Sequence, residues 1–257
     1  MAITYFNSAS TPADNGAQAG PGPVAITPPA SMLTGDLVYV FCQYRGAETI
    51  TVSVAGGQSW NTLAAIANTN IAGQVFWCRF NGTWSANPSF TNTTGTAALT
   101  CVMHVFRPTD TGKVWAVDVA QVETDFAAPA SPFTVTITGQ TTVNASTVGI
   151  AAWATADDNT WASLAGTGWA VSGAAQYRNT TGQDQSCTFA HNIQTAQVTQ
   201  ANVSKNQATL GGDAGTTSIV TLYESDPPTD VFFENVYPIE SGMKPNTAAG
   251  MGGVLVT

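Results

Sequence analysis

The stretch Gly35-Asp36-Leu37-Val38-Tyr39-Val40-Phe41-Cys42 decides the fold of this chain. It is a short apolar run, rich in β-branched and aromatic residues, and it ends in polar residues. A run of this length and composition predicts a central β-strand that is covered on both of its faces. A second run of the same kind, Ser146-Thr147-Val148-Gly149-Ile150-Ala151-Ala152-Trp153, occurs in the later part of the chain.

The resemblance between the two parts extends beyond these strands. Each opening run leads to a tryptophan flanked by glycine, in Gly56-Gly57-Gln58-Ser59-Trp60 and in Gly166-Thr167-Gly168-Trp169. Each part also closes on an apolar strand, at 98–106 and at 217–223. Such internal repetition indicates a repeated architecture before it indicates any chemistry.

The pattern predicts an all-β protein, an antiparallel β-sandwich of jelly-roll-like type built from two similar halves. The sandwich is expected at 35–226, with its halves at about 35–108 and 146–226. The halves could share one sandwich, which is the arrangement favoured here, or form two small sandwiches. The Pro- and Gly-rich segment 1–34 is predicted to be an N-terminal arm with a short strand, and 227–257 a C-terminal arm.

Local patterns support a fold without helices. In Phe133-Thr134-Val135-Thr136-Ile137-Thr138, apolar residues and threonines alternate, which predicts a strand with one face towards solvent. No stretch keeps an apolar period of 3.6 residues over three turns. The polar, Gln-rich residues 192–209 are predicted to form a loop.

The composition restricts the classes of partner. Only 9% of the residues are charged and the net charge is −9, with 7 Lys and Arg residues in all. Binding to nucleic acid or to an anionic membrane requires clustered Lys and Arg, so neither partner is expected. The N-terminus lacks the pattern of a secretory signal and no apolar run is long enough to span a bilayer, so a soluble product is expected. A surface of small uncharged residues is compatible with coverage by neighbouring subunits.

Cysteine and histidine provide no metal motif. Cys42, Cys78, Cys101 and Cys187 lack CxxC spacing, and the first three lie in apolar strand-like runs. Buried free thiols are therefore favoured over a disulfide, and structural zinc is disfavoured because the two histidines are not spaced as ligands. No cofactor is predicted.

Acidic residues offer weak alternatives to a structural function. Glu123 with Asp125, or Asp157 with Asp158, could be imagined as the two carboxyl groups of a glycosidase. Asp157-Asp158-Asn159 could also supply oxygen ligands to Ca²⁺, although a hydrogen-bonded turn is favoured. Because no motif of a known catalytic class is present, no catalytic or metal-binding residues are assigned.

The tryptophans divide into two groups. Trp60 and Trp169 occupy equivalent places in the two halves and are expected to pack beneath the sheets. Trp84 and Trp161 lie among polar residues and are the candidates for a surface contact, either with carbohydrate or with protein.

The C-terminal arm is the candidate assembly segment. It carries Phe232, Phe233, Tyr237, Val254 and Leu255, which should not remain in water. These side chains could dock on the protein's own sandwich or on a neighbouring subunit, and the sequence favours neither.

A pattern across 35–226 resembles β-sandwich structural proteins of tailed bacteriophages, of the head decoration, head fibre or minor tail type. The similarity consists of Gly-Asp-Leu before an apolar strand, the Gly-flanked tryptophan, strands ending in Arg79-Phe80 or Tyr177-Arg178, Pro88-Ser89-Phe90-Thr91, and Arg107-Pro108 after the closing strand. The resemblance implies a non-catalytic virion component made in the bacterial cytoplasm. It also implies a homo-oligomer whose arms contact other capsid or tail proteins. A module that recognises a host surface glycan is the alternative.

Overall fold

The computed structural model describes residues 2–18, 20–46, 48–67, 71–127, 133–208 and 213–228. The regular structure in these residues is β-strand and every pairing between named strands is antiparallel, so the predicted all-β antiparallel class is confirmed. No helix that is long and apolar enough to cross a membrane occurs in the described part of the chain. The strands are β1 (Thr4–Thr11), β2 (Val24–Ala25), β3 (Leu37–Tyr44), β4 (Ile50–Val54), β5 (Asn61–Thr62), β6 (Ile66–Ala67), β7 (Ala72–Arg79), β8 (Ser89–Asn92), β9 (Thr100–Arg107), β10 (Val114–Phe126), β11 (Phe133–Ile137), β12 (Thr147–Thr155), β13 (Trp161–Ala165), β14 (Ala170–Val171), β15 (Tyr177–Asn179), β16 (Gln185–Gln194), β17 (Val203–Gln207) and β18 (Gly215–Ser225).

These strands form two six-stranded and two three-stranded sheets. The first large sheet has the order β1-β9-β3-β7-β5, with β6 also paired to β7, and its small companion has the order β2-β8-β4. The second large sheet has the order β10-β18-β12-β16-β14, with β15 also paired to β16, and its companion is β11-β17-β13. The second pair of sheets has the same strand order as the first pair, with nine added to each strand number. We call β1 to β9 repeat 1 and β10 to β18 repeat 2.

Each repeat begins earlier than its predicted half. Repeat 1 starts with β1 rather than near residue 35, and repeat 2 starts with β10 rather than near residue 146. The segment 1–34 is therefore corrected from an arm to a part of the framework, because β1 pairs with β9 from Thr4 opposite Arg107 to Thr11 opposite Cys101. β1 is an edge strand whose apolar residues, Tyr5, Phe6 and Ala9, do not alternate regularly, so the sequence indicates a short strand but not its place in the large sheet.

The N-terminal segment also joins the two repeats. The Asp14 carboxylate accepts a hydrogen bond from Arg178 Nε at 3.0 Å. The Asn179 side chain accepts from the main-chain N of Gln18 at 3.0 Å and donates to the Gln18 carbonyl at 2.8 Å. Residues just after β1 are thereby held against β15 of repeat 2.

The two large sheets face each other across a shared core. One cluster of buried side chains contains Tyr39, Phe41 and Phe106 from repeat 1 together with Ile150 and Phe189 from repeat 2. Phe41 and Phe189 meet edge to face across this core, with ring centroids 5.5 Å apart. Burial of such apolar area is the main source of stability that holds one repeat to the other.

Each small sheet covers the outer face of its own large sheet. Phe90 of β8 packs with Val40 of β3 in repeat 1, and Val203 of β17 packs with Trp153 of β12 in repeat 2. Each repeat thus has two layers of sheet, and the two large sheets also share a core with each other. The central strands β3 and β12 are buried at every position because sheets lie on both of their faces, as their composition predicts.

A buried polar network crosses the contact between the repeats. Gln43 Nε2 donates to the carbonyls of Thr155 and Ser186 at 2.9 and 3.0 Å. Gln185 Nε2 lies 2.9 Å from Thr100 Oγ1 and 3.3 Å from the Gln43 carbonyl. Both glutamines are fully buried. Since a buried amide N–H left without an acceptor costs free energy, these bonds from the two Nε2 groups favour one register of the two sheets over others.

Two further predictions can be compared with the fold. All four cysteines are free and buried, as expected. The loop predicted at 192–209 is wrong for Val203–Gln207, which form β17. Its inward side chains are Val203, Lys205 and Gln207, and two polar residues on the inner face conceal the alternation that normally identifies a strand.

Candidate functional site

Trp84 is only partly available for a surface contact. Its ring is half-buried and stacks on Phe80 with centroids 5.2 Å apart, while Trp60 lies at 6.3 Å. Gly56 makes room for this ring, because a Cβ at that position would lie 2.7 Å from it, and the residue has a φ of 65°. Gly56, the first glycine of the motif at 56–60, therefore allows the backbone to approach the Trp84 ring closely.

Trp161 is corrected from a surface contact to a core residue. It is 4% exposed, and its Nε1 donates to Ser186 Oγ at 3.0 Å. A register shift between Ala162 and Ala165, together with a φ of 47° at Ser163, interrupts the alternation of β13. That irregularity is why the polar sequence context of Trp161 does not report its burial.

The two repeated tryptophans have different environments. Trp169 is 8% exposed and belongs to the core of repeat 2, as expected. Trp60 is half-buried and donates from Nε1 to the Ala55 carbonyl at 2.9 Å. One side of Trp60 lines a groove, so its packing role is combined with partial exposure.

This groove lies between the free edge of β4 in the small sheet and β5 at the edge of the large sheet, and we call it the β4–β5 groove. Its volume is about 390 Å³. Two more grooves occur, one of about 530 Å³ beside Leu33 and Arg107, and one of about 430 Å³ between Asp125 and Thr134. All three are of the size that small ligands or a few side chains occupy.

The structure adds a third carboxylate to one of the predicted acidic pairs. Ligand atoms of Asp157, Asp158 and Asp184 all lie within 4.8 Å of one another. Burial and the neighbouring carboxylates Asp157 and Asp184 raise the pKa of Asp158. Asp157 also accepts a hydrogen bond from the main-chain N of Asp158 at 2.7 Å, which is the turn expected there. These oxygens could hold a cation or share a proton, but none of the three residues lines a groove described above.

The second acidic pair lies elsewhere, on β10. Glu123 is half-buried there, and Asp125 is exposed at the groove beside Thr134. The structure therefore provides separate surroundings for the two pairs.

The sequence did not indicate a histidine cluster between the repeats. His104 of β9 and His191 of β16 lie on facing large sheets, and Tyr5 contacts both, stacking on His191 with centroids 4.8 Å apart. Ser172 Oγ lies 2.9 Å from His191 Nδ1. A serine beside a histidine resembles an activated nucleophile, but Ser172 is fully buried, so its hydroxyl is closed to solvent.

Lys205 is a buried cation. It is 2% exposed, and its Nζ donates to Thr188 Oγ1 at 2.7 Å and to the Ala175 carbonyl at 3.2 Å. Burial lowers the pKa of Lys205 from 10.5 to about 8. An amine with a low pKa is neutral, and therefore nucleophilic, over a wider range of pH. Lys205 Nζ is closed to solvent, so the lowered pKa matters mainly for the stability of the protein.

We expect Lys205→Met to stabilise the protein at pH 7 by about 1 to 3 kcal/mol, because the variant removes a charge that is buried without a counter-charge. The unfolded chain binds this proton more tightly than the folded protein, so the stability of the parent should rise as the pH increases from 8 to 10.5. Urea unfolding at several pH values measures both effects. A variant that is less stable than its parent at pH 7 would contradict the prediction.

The predicted assembly residues Phe232, Phe233, Tyr237, Val254 and Leu255 lie outside the residues that the structure describes. By its contacts the chain divides into a unit of residues 1–227 and a second unit of residues 228–257.

No protein-family model, curated protein or solved structure matches this chain. Any function must therefore be argued from the geometry.

Proposed function

We propose that this protein is a non-catalytic structural component of a tailed-phage virion. It would serve in capsid decoration, as a head fibre or in the tail, and would assemble through its stacked β-sheets and terminal segments. The observation that carries the proposal is the stack of two nine-strand repeats with a shared core between them.

The strand pairing supports a structural role. Within repeat 1, the first strand pairs with the ninth, the second with the eighth and the third with the seventh. Repeat 2 has the same nested pairing. We infer that each repeat is a jelly-roll-like unit, and jelly rolls are a recurrent architecture of viral capsid and lectin domains.

The use of charged residues points the same way. Asp36 pairs with Arg107, Asp14 pairs with Arg178, and Lys205 bonds to neutral groups, so these charges maintain the framework. The remaining surface is rich in Thr, Ala and Asn, which cost less free energy to bury between subunits than Lys or Glu. Repeated copies could therefore pack closely in a particle.

A glycan-recognition module is the second candidate, because the half-buried rings of Trp60 and Trp84 are adjacent and partly accessible. Aromatic faces complement the C–H face of sugars. A glycan array with purified protein tests this candidate, and binding that is lost in Trp84→Ala would favour it over a purely structural role.

The structural proposal predicts that a chain ending at Asp226 folds but does not assemble. The eighteen strands in the described part of the chain end at or before Ser225, so the truncated chain should keep the unfolding midpoint of the full chain. Incorporation into particles, or self-association measured by sedimentation, should be lost together with 227–257. A truncated chain that assembles like the full chain would contradict the assembly role of the C-terminal arm.

A further inference from the structure

One sheet edge in repeat 1 is open, and the chemistry of that edge identifies what it would bind. β4 is the last strand of its small sheet and pairs on one side only, with β8. In the nested pairing of this repeat β6 would be the second partner of β4, but β6 pairs with β7 of the large sheet instead. The free side of β4 forms one wall of the β4–β5 groove.

The main-chain polar groups of Ile50 and Val52 point into this groove. Thr93 N donates to the Thr49 carbonyl at 2.9 Å, so Thr49 and Thr93 form a hydrogen-bonded pair. Such pairs alternate along an antiparallel ladder, so Thr51 and its partner Thr91 form the next one. The N–H and C=O groups of Ile50 and Val52 must then face away from β8.

In repeat 2, the outward-facing main-chain N–H at the equivalent position has a hydrogen-bond partner within the chain. Ala208 N donates to the Thr160 carbonyl at 2.9 Å, which makes Trp161 the equivalent of Ile50. The outward main-chain N–H of Trp161 donates to Gln176 Oε1 at 2.7 Å. Among the described residues, Ile50 has no such partner. The open edge in repeat 1 is therefore a difference between two otherwise equivalent strands.

The groove also has surfaces that suit the side chains of an added strand. Trp60 and Thr62 form its second wall, and the buried Phe76 lies at its base. No charged residue lines it. An unpaired strand edge beside an aromatic, uncharged groove is the arrangement used when an extended peptide adds to a sheet.

The chain carries a segment of matching chemistry. Val231-Phe232-Phe233-Glu234-Asn235-Val236-Tyr237 is a β-prone run between Pro228 and Pro238. If this run is extended, Val231, Phe233 and Tyr237 share one face with Asn235, and Glu234 lies on the other face between Phe232 and Val236. The apolar face suits Trp60 and Phe76, and the opposite face carries the charge.

The exit from β18 favours a second copy as the donor of this segment. Residues 226–228 are exposed, and Pro227-Pro228 forms a stiff extended connection. Such a connection limits how sharply the chain can turn back after β18. Building on the proposed assembly role, we propose that residues 231–237 of one copy add to β4 of another copy and occupy its β4–β5 groove.

Cross-linking of full-length chains tests this proposal. Thr51→Cys is placed at the exposed lip of the groove in one preparation and Glu234→Cys, on the face of the added strand opposite Phe233, in another, and both are mixed with a short bis-maleimide. The four native cysteines are buried and should react little. The matched control is Ala162→Cys, the exposed equivalent of Thr51 in repeat 2. We expect about tenfold more two-chain product with Thr51→Cys than with the control.

The outcomes separate the groove from the assembly role. Equal yields from Thr51→Cys and Ala162→Cys would overturn the groove assignment, even if sedimentation shows that the full-length chain associates. A double variant, Thr51→Cys with Glu234→Cys, that closes within one chain at high dilution would show docking on the same copy and would also overturn it. A full-length chain that stays monomeric at all concentrations would remove both proposals. Thermal melting of each variant confirms that it is folded.

Discussion

The protein is expected to lose stability steeply on mild acidification, mainly through His104 and His191. Burial and, to a smaller extent, the nearby His191 lower the pKa of His104 from 6.5 to about 3. Burial also lowers the pKa of His191 to about 4. Neither ring can accept a proton without placing a positive charge in the contact between the repeats.

The surroundings of the two rings provide no counter-charge. His104 contacts the rings of Tyr5, Tyr39, Tyr177 and Phe189. His104 Nδ1 lies 3.3 Å from the Tyr5 hydroxyl, and its Nε2 is buried without a hydrogen-bond partner among the described residues. The aromatic groups on the facing strands are neutral at these pH values. A protonated histidine therefore loses its hydration on folding and gains no neutralising charge in return.

The sign and window of the effect follow from these values. At pH values between the folded and unfolded pKa, the unfolded chain binds more protons, so stability falls as the pH falls below 6.5. The slope that each histidine contributes approaches about 1.4 kcal/mol per pH unit, and the two together remove about 5 kcal/mol by pH 4.5. This loss is a large part of the stability of a typical domain.

Urea unfolding at a series of pH values, with single and double histidine variants, measures this effect. His104→Phe and His191→Phe should each remove about half of the slope between pH 6.5 and 4.5, whatever the cost of the substitution at pH 7.5. The slope is the readout because it does not depend on how well the new ring packs. An unchanged slope in the double variant would show that other groups cause the acid sensitivity.

Asp36→Asn is the second substitution for which we expect a large effect. The Asp36 carboxylate is fully buried and accepts hydrogen bonds from Arg107 Nε at 3.2 Å and from Leu33 N at 2.8 Å. Arg107 also lies over the Phe6 ring, with 4.1 Å between the guanidinium carbon and the ring centroid. This ion pair joins the start of β3 to the end of β9.

Removing one partner leaves the other partly buried without its counter-charge. We therefore expect Asp36→Asn to reduce the free energy of unfolding by about 3 kcal/mol. The matched control is Asp226→Asn, which removes a carboxylate from the pair with Lys113 (2.7 Å). Asp226 is exposed, so this variant should show no measurable change. Similar losses in both variants would contradict the importance assigned to burial.

Part of the candidate site could not be predicted from local sequence. Asp184 joins Asp157 and Asp158 only because β16 returns beside β12. His104 and His191 meet only because two sheets from different repeats stack face to face. The separation of these residues along the chain carries no information about such contacts.

The sequence by itself determined the β-class of this protein, its internal repetition and its central strands. Burial of β3 and β12 on both faces follows from their composition, and the alternation of Phe133–Ile137 correctly placed Val135 and Ile137 in the core. These are local properties, because a strand's own residues record whether each face contacts apolar groups.

Only the tertiary structure decided which strands supply those contacts. It placed β1 in the large sheet rather than in an arm, and it buried Trp161 through an irregular β13. It also left the edge of β4 open while Gln176 satisfies the equivalent edge in repeat 2. Strand partners are selected by the combined packing of distant segments, and that free energy depends on all of them together rather than on any one stretch of sequence.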